Sequence, residues 1–152
     1  MANMDIHKYL DSFVLGIQRP CTLPAIACQA IDCGFDTPLL YELAASDGRD
    51  ENEIRKLFIR VVSELGFKLP SEKAAAFSLF ISIVRDIVSG EVAPYVGAKR
   101  IWTDLYSRFP DLSVLKPFVG FASEYEDDLS HRDEYNRMII SECESILRSE
   151  SD

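Results

Sequence analysis

Gly34-Phe35-Asp36-Thr37-Pro38, Gly66-Phe67-Lys68-Leu69-Pro70 and Gly90-Glu91-Val92-Ala93-Pro94 repeat one local pattern, Gly-x-x-x-Pro. Glycine just past a helix end takes the left-handed conformation that closes the last turn. Proline, with its preset φ, opens the next helix. Each joint lies between stretches whose apolar residues recur at three and four, so the pattern predicts a string of helices joined by tight corners.

The flanking stretches carry the same reading outward. Ile6, Tyr9, Leu10, Phe13, Val14 and Ile17 predict a first helix over residues 4–17, ended by Gly16 and Pro20. Thr22 caps a second helix with Pro24 in its first turn, and Thr37 caps a third with Pro38 at its first position. Asp50 with Glu53 three residues on is a variant capping box for a fourth, whose face is Ile54, Leu57, Phe58, Val61 and Leu65. The fifth, residues 71–89, has the widest apolar face: Ala74, Phe77, Phe80, Ile81, Val84, Ile87 and Val88. A helix this apolar is expected to be central. A sixth begins at Pro94, carries Tyr95, Ala98, Trp102, Leu105, Tyr106 and Phe109, and ends at Pro110. Leu112 and Leu115 belong to a short turn. Pro117 opens a helix with Phe118, Phe121, Ala122, Tyr125 and Leu129 inward, broken near Ser130. The last helix, residues 132–148, turns Tyr135, Met138, Ile139, Cys143, Ile146 and Leu147 inward. No strand pattern competes.

The joints at 34 and 66 share Gly-Phe and lie 32 residues apart, near the period of helix-pair repeats. Their flanks do not match, and the third joint follows after only 24 residues. The expectation is therefore an all-α fold: one domain over residues 1–152, a compact bundle of six to eight helices. With 27% charged residues the composition is that of a globular chain, and no apolar run approaches the roughly 20 residues that cross a bilayer. The stretch from Met1 to Lys8 lacks the basic cluster and apolar run of a secretory signal, so the expected location is the cytoplasm. Cys21, Cys28, Cys33 and Cys143 form no C-x-x-C pair and fit small buried thiols.

Charge is unevenly spread. The net −9 divides between residues 1–122, with 13 Lys/Arg against 15 Asp/Glu, and residues 123–152, with 3 against 10. Such a surface repels nucleic acid and anionic membranes and attracts basic proteins.

No constellation for catalysis stands out. There is no G-x-S-x-G elbow or Gly-rich phosphate loop, and Asp47, Asp50, Glu51 and Glu53 lack the calcium-loop pattern. Glu142 and Glu144 beside Cys143 would raise its thiol pKa, the wrong direction for a nucleophile. His7 reads as a surface residue. Glu124, Asp128 and His131 would share one face of an unbroken helix, which makes them the alternative reading as a metal site. The preferred candidate is an interaction surface of Glu124, Tyr125, Glu126, Asp127 and Asp128, with the tyrosine as anchor and the carboxylates steering a basic protein partner. A third reading is a small-ligand binder with its pocket under Trp102 and Tyr106. The expected function is a non-enzymatic interaction module, an adaptor or immunity-type inhibitor, with no cofactor.

Overall fold

The computed structural model describes residues 4–151. Met1, Ala2 and Asn3, where the reading of a missing secretory signal begins, and Asp152 lie outside the described residues. Among the described residues all regular structure is helical: α1 (Ile6–Val14), α2 (Leu23–Asp32), α3 (Pro38–Ala44), α4 (Glu51–Glu64), α5 (Glu72–Ser89), α6 (Pro94–Arg100), α7 (Lys116–Asp127) and α8 (Arg132–Ser151). None of these helices is long and apolar enough to cross a membrane.

The predicted corners close by one mechanism. Gly16, Gly34, Gly66 and Gly90 have φ of 74°, 105°, 85° and 86°. The amide after each, on Ile17, Phe35, Phe67 and Glu91, donates to the carbonyl five residues back at 2.9 to 3.1 Å. This bond satisfies a carbonyl that the last helical turn would leave unpaired.

The openings vary more. Pro38 and Pro94 are the first residues of α3 and α6. Pro70 is not in α5; Ser71 caps that helix instead, its hydroxyl accepting from the Ala74 amide at 3.1 Å. Asp50 caps α4 as expected, accepting from Glu53 N at 3.2 Å. Neither threonine cap forms. Thr22 sits in a 3-10 turn (Pro20–Thr22) with helical backbone angles, and its hydroxyl turns back to the Arg19 carbonyl. Thr37 has the extended backbone of a cap, yet its buried hydroxyl has no partner among the described residues. Glu64, from the end of α4, reaches across to accept from Leu39 N at 3.0 Å. A carboxylate favours the positive end of a helix, so a tertiary contact replaces the local one.

Two compact units divide between Ala75 and Ala76, inside the first turn of α5. In the first, α2 packs on α3 and α3 on α4. Its core includes Leu10, Leu23, Leu40, Leu43, Ile54 and Val61. Phe13 meets Phe58 at 4.5 Å between ring centroids, and the two Gly-Phe corners touch, Phe35 edge-on to Phe67 at 6.4 Å. His7, exposed as expected, stands edge-on to the same Phe67.

In the second unit α6, α7 and α8 pack on one another. Phe80 of α5 and Phe118 of α7 are fully buried with rings 5.5 Å apart. Gly97 of α6 lies against α5 so closely that a Cβ there would stand 2.5 Å from Ile87 Cδ1. After Arg100 the helix widens to a π segment (Ile101–Tyr106). Ser107 N bonds Trp102 O at 3.2 Å, while the Thr103 and Ser107 hydroxyls take the carbonyls of Lys99 and Thr103. Hydroxyls that bond backward compete with the ordinary ladder, which accounts for the local widening.

Several side chains face the other way from their expected direction. Ala74, Phe77 and Val88 of α5 are exposed, and Ala75, Ala76 and Ile83 fill the core instead. Ile17 lies beyond the end of α1. Leu129 lies beyond α7, and Met138 is on the outer side of α8.

Candidate functional site

The candidate residues gather at the corner between α7 and α8. Asp128 ends α7 in an extended conformation, φ −124° and ψ 91°, and a 3-10 turn (Leu129–His131) leads into α8. The predicted break near Ser130 thus begins at Asp128. Its carboxylate organises the corner. Oδ1 accepts from Ser130 N at 3.2 Å and from Ser130 Oγ at 2.8 Å. Oδ2 lies 2.8 Å from His131 Nδ1 and accepts from the Tyr135 hydroxyl at 3.2 Å. The Ser130 bonds first, then His131, hold the Asp128 carboxyl below the usual carboxylate range. Donors to the ionised form favour ionisation.

Tyr125, the expected anchor, is half-buried. Its ring stacks on Tyr95 at 4.2 Å and 10°, and the Arg132 guanidinium lies 4.5 Å from its centroid. Arg132 Nε also donates to Tyr125 O at 3.1 Å. Glu126 pairs with Lys99 Nζ at 2.9 Å, and the Lys99 bond lowers its pKa. Lys99 in turn lies 4.3 Å from the Trp102 centroid. The ammonium therefore covers a face of the ring under which a pocket was expected. Asp127 is exposed.

The alternative metal set does not converge. It required the α7 helix to continue, and the chain turns at Asp128. Asp128 and His131 meet as a hydrogen-bonded pair, while Glu124 acts with Asp128 on Tyr135, whose hydroxyl pKa is raised first by burial and then by Asp128. Among the described residues no three His, Cys, Asp or Glu side chains stand together to hold a metal ion.

Ser130, His131 and Asp128 supply the residue types of a hydrolytic triad within one turn. Their geometry is not that of a triad. Ser130 Oγ lies 3.1 Å from His131 Nδ1, the same nitrogen that addresses Asp128, and the hydroxyl itself donates to Asp128. A working triad needs the serine on one ring nitrogen and the carboxylate on the other, so that the imidazole takes the serine proton while the carboxylate stabilises it. This set serves the turn, and sequence spacing alone did not reveal it.

Of the four cysteines expected to be buried, Cys143 is and the other three are not. Cys143 is fully buried, and burial, with Glu142 and Glu144 adding to it, pushes its thiol up to about 12. Cys21 and Cys28 are exposed and Cys33 is half-buried. Alkylation of the folded protein at mildly alkaline pH is expected to label Cys21 and Cys28 and spare Cys143 until denaturant is added. Labelling of Cys143 in the native protein, read by peptide mass, would contradict its place in the core.

An apolar cavity, about 30 Å³, lies in the first unit among Leu10, Leu23, Leu43, Phe58 and Val61. That is far below the roughly 300–1,000 Å³ of small-molecule sites, and its apolar walls mark it as a gap in the packing rather than a ligand site. No protein family, curated protein or solved structure matches the chain.

Proposed function

We propose that the chain is a non-enzymatic interaction module of the cytoplasm that docks a basic protein partner, as an adaptor or immunity-type inhibitor does. The observation that supports this reading is the charge that internal pairing leaves over. Lys99 engages Glu126 and the turn engages Asp128, yet Asp127, Asp133, Glu134 and Glu144 remain exposed along the end of α7 and the outer side of α8, and Glu150 is exposed in the last turn of α8. Arg137 and Arg148 are the exposed cations interspersed on α8. A surface of one prevailing sign raises the encounter rate with an opposite partner by about 10–10³-fold at low salt.

The pairings also decide how to test it. Reversing Glu126 or Asp128 would disturb Lys99 and the turn, so a loss of binding would be ambiguous. Asp127→Lys, Glu134→Lys and Glu144→Lys together change the field without touching those contacts. The triple variant is expected to keep the helical circular dichroism of the parent. It should capture its partner from cell extract about ten-fold or more slowly at low salt. Undiminished capture at the same low salt would reject the reading.

A further inference from the structure

We infer that Leu129 is the apolar anchor of this docking surface, and that the basic partner receives it in an apolar pocket rimmed by Lys or Arg. The inference rests on the proposed acidic docking face and names its centre. Leu129 is 71% exposed, the most exposed of the large apolar side chains among the described residues. A lone exposed leucine is ordinary on a protein surface. This one differs in how it is held. The residue before it takes four hydrogen-bonding contacts through its carboxylate, from Ser130, His131 and Tyr135. Three residues after it, Arg132 clamps the end of α7 through the Tyr125 carbonyl and ring. The backbone that presents the leucine is thus held on both sides, which reduces the loop ordering that binding would cost.

Its surroundings fix the chemistry of the partner. Asp127, Asp133 and Glu134 are exposed on either side along the chain, and no Lys or Arg occurs between residues 117 and 131. An apolar centre with a charged rim is the arrangement in which rim groups exclude water and set approach while the centre sets the dissociation rate. Leucine is not among the side chains that dominate binding hot spots, so the expected contribution is modest.

The test uses the full chain with a photoactivatable benzophenone side chain in place of Leu129, and a control carrying it in place of Tyr41, exposed in the other unit. Both are irradiated in extract of the cells that make the protein. The crosslinked species is identified and then titrated, as purified protein, against the parent chain, Leu129→Ala and the Asp127/Glu134/Glu144 lysine variant. The expected result is a crosslink from position 129 alone, to a basic protein, whose Kd weakens about ten-fold for Leu129→Ala with an unchanged salt dependence. A crosslink from position 41 instead, from neither position, or to an acidic protein overturns the inference. If Leu129→Ala binds as the parent does while the lysine variant fails, the anchor is wrong and the acidic-face reading stands. If neither variant loses affinity, both fall.

Discussion

Replacing Phe118 by alanine is expected to destabilise the second unit by about 3–5 kcal/mol. The ring is fully buried and meets the equally buried Phe80 at 5.5 Å and 75°. The loss combines the transfer energy of the ring, a cavity that helices on either side cannot fully close, and about 0.5–1.5 kcal/mol from the edge-to-face pair itself. Since whole domains are stable by only about 5–15 kcal/mol, this one change removes a large share. Trp102 is the only tryptophan and belongs to the same unit, so its fluorescence in a urea titration reports that unit directly. Phe118→Leu is expected to retain most of the stability. A midpoint for Phe118→Ala within error of the parent would mean that α5 and α7 do not share this core.

Gly97→Ala is the second large effect, and its sign is the informative part. In an exposed helix the exchange stabilises by about 1 kcal/mol, because glycine has the greater freedom to lose. Here the new methyl would stand 2.5 Å from Ile87 Cδ1 and 2.7 Å from Ile87 Cγ1. Overpacking of this kind costs about 1–3 kcal/mol and more than offsets that gain over most of its range, so the net expectation is destabilisation by up to about 2 kcal/mol. Both clashing atoms belong to one side chain, which permits a decisive control. In an Ile87→Ala background the same substitution is expected to become neutral or stabilising, and the double-mutant cycle should return a coupling of about 1–3 kcal/mol. Stabilisation by Gly97→Ala in the parent would show that α5 and α6 lie farther apart than the structure has them.

The helix ends were more legible than the helix faces, and the physical reason is locality. A left-handed glycine is demanded by the backbone at its own position, so Gly34, Gly66 and Gly90 announced their corners regardless of what packs nearby. Pro70 and Thr37 show where locality stops. Ser71 stands one residue closer to the helix than the proline, and Glu64 reaches the Leu39 amide of α3 from a different helix. Facing directions failed where apolar residues occupy several sides. On α5, Phe77 and Val88 fit a helical stripe as well as Ala75 and Ile83 do, and the neighbouring helices chose. Leu129 was misplaced because its direction depended on whether α7 ran past Asp128. The corner cluster was visible only as a run of carboxylates. Its internal bonding involves Lys99, Tyr95 and Tyr135, and nothing in the spacing brought those three to it.

Among the described residues, the core cluster around Leu10, Leu40 and Val61 and the apolar residues packed against it lie between Met4 and Leu69. A ribosome that has released the chain as far as Ala75 has therefore delivered all the material that this core requires. Condensation of that cluster need not wait for the synthesis of α6, α7 or α8.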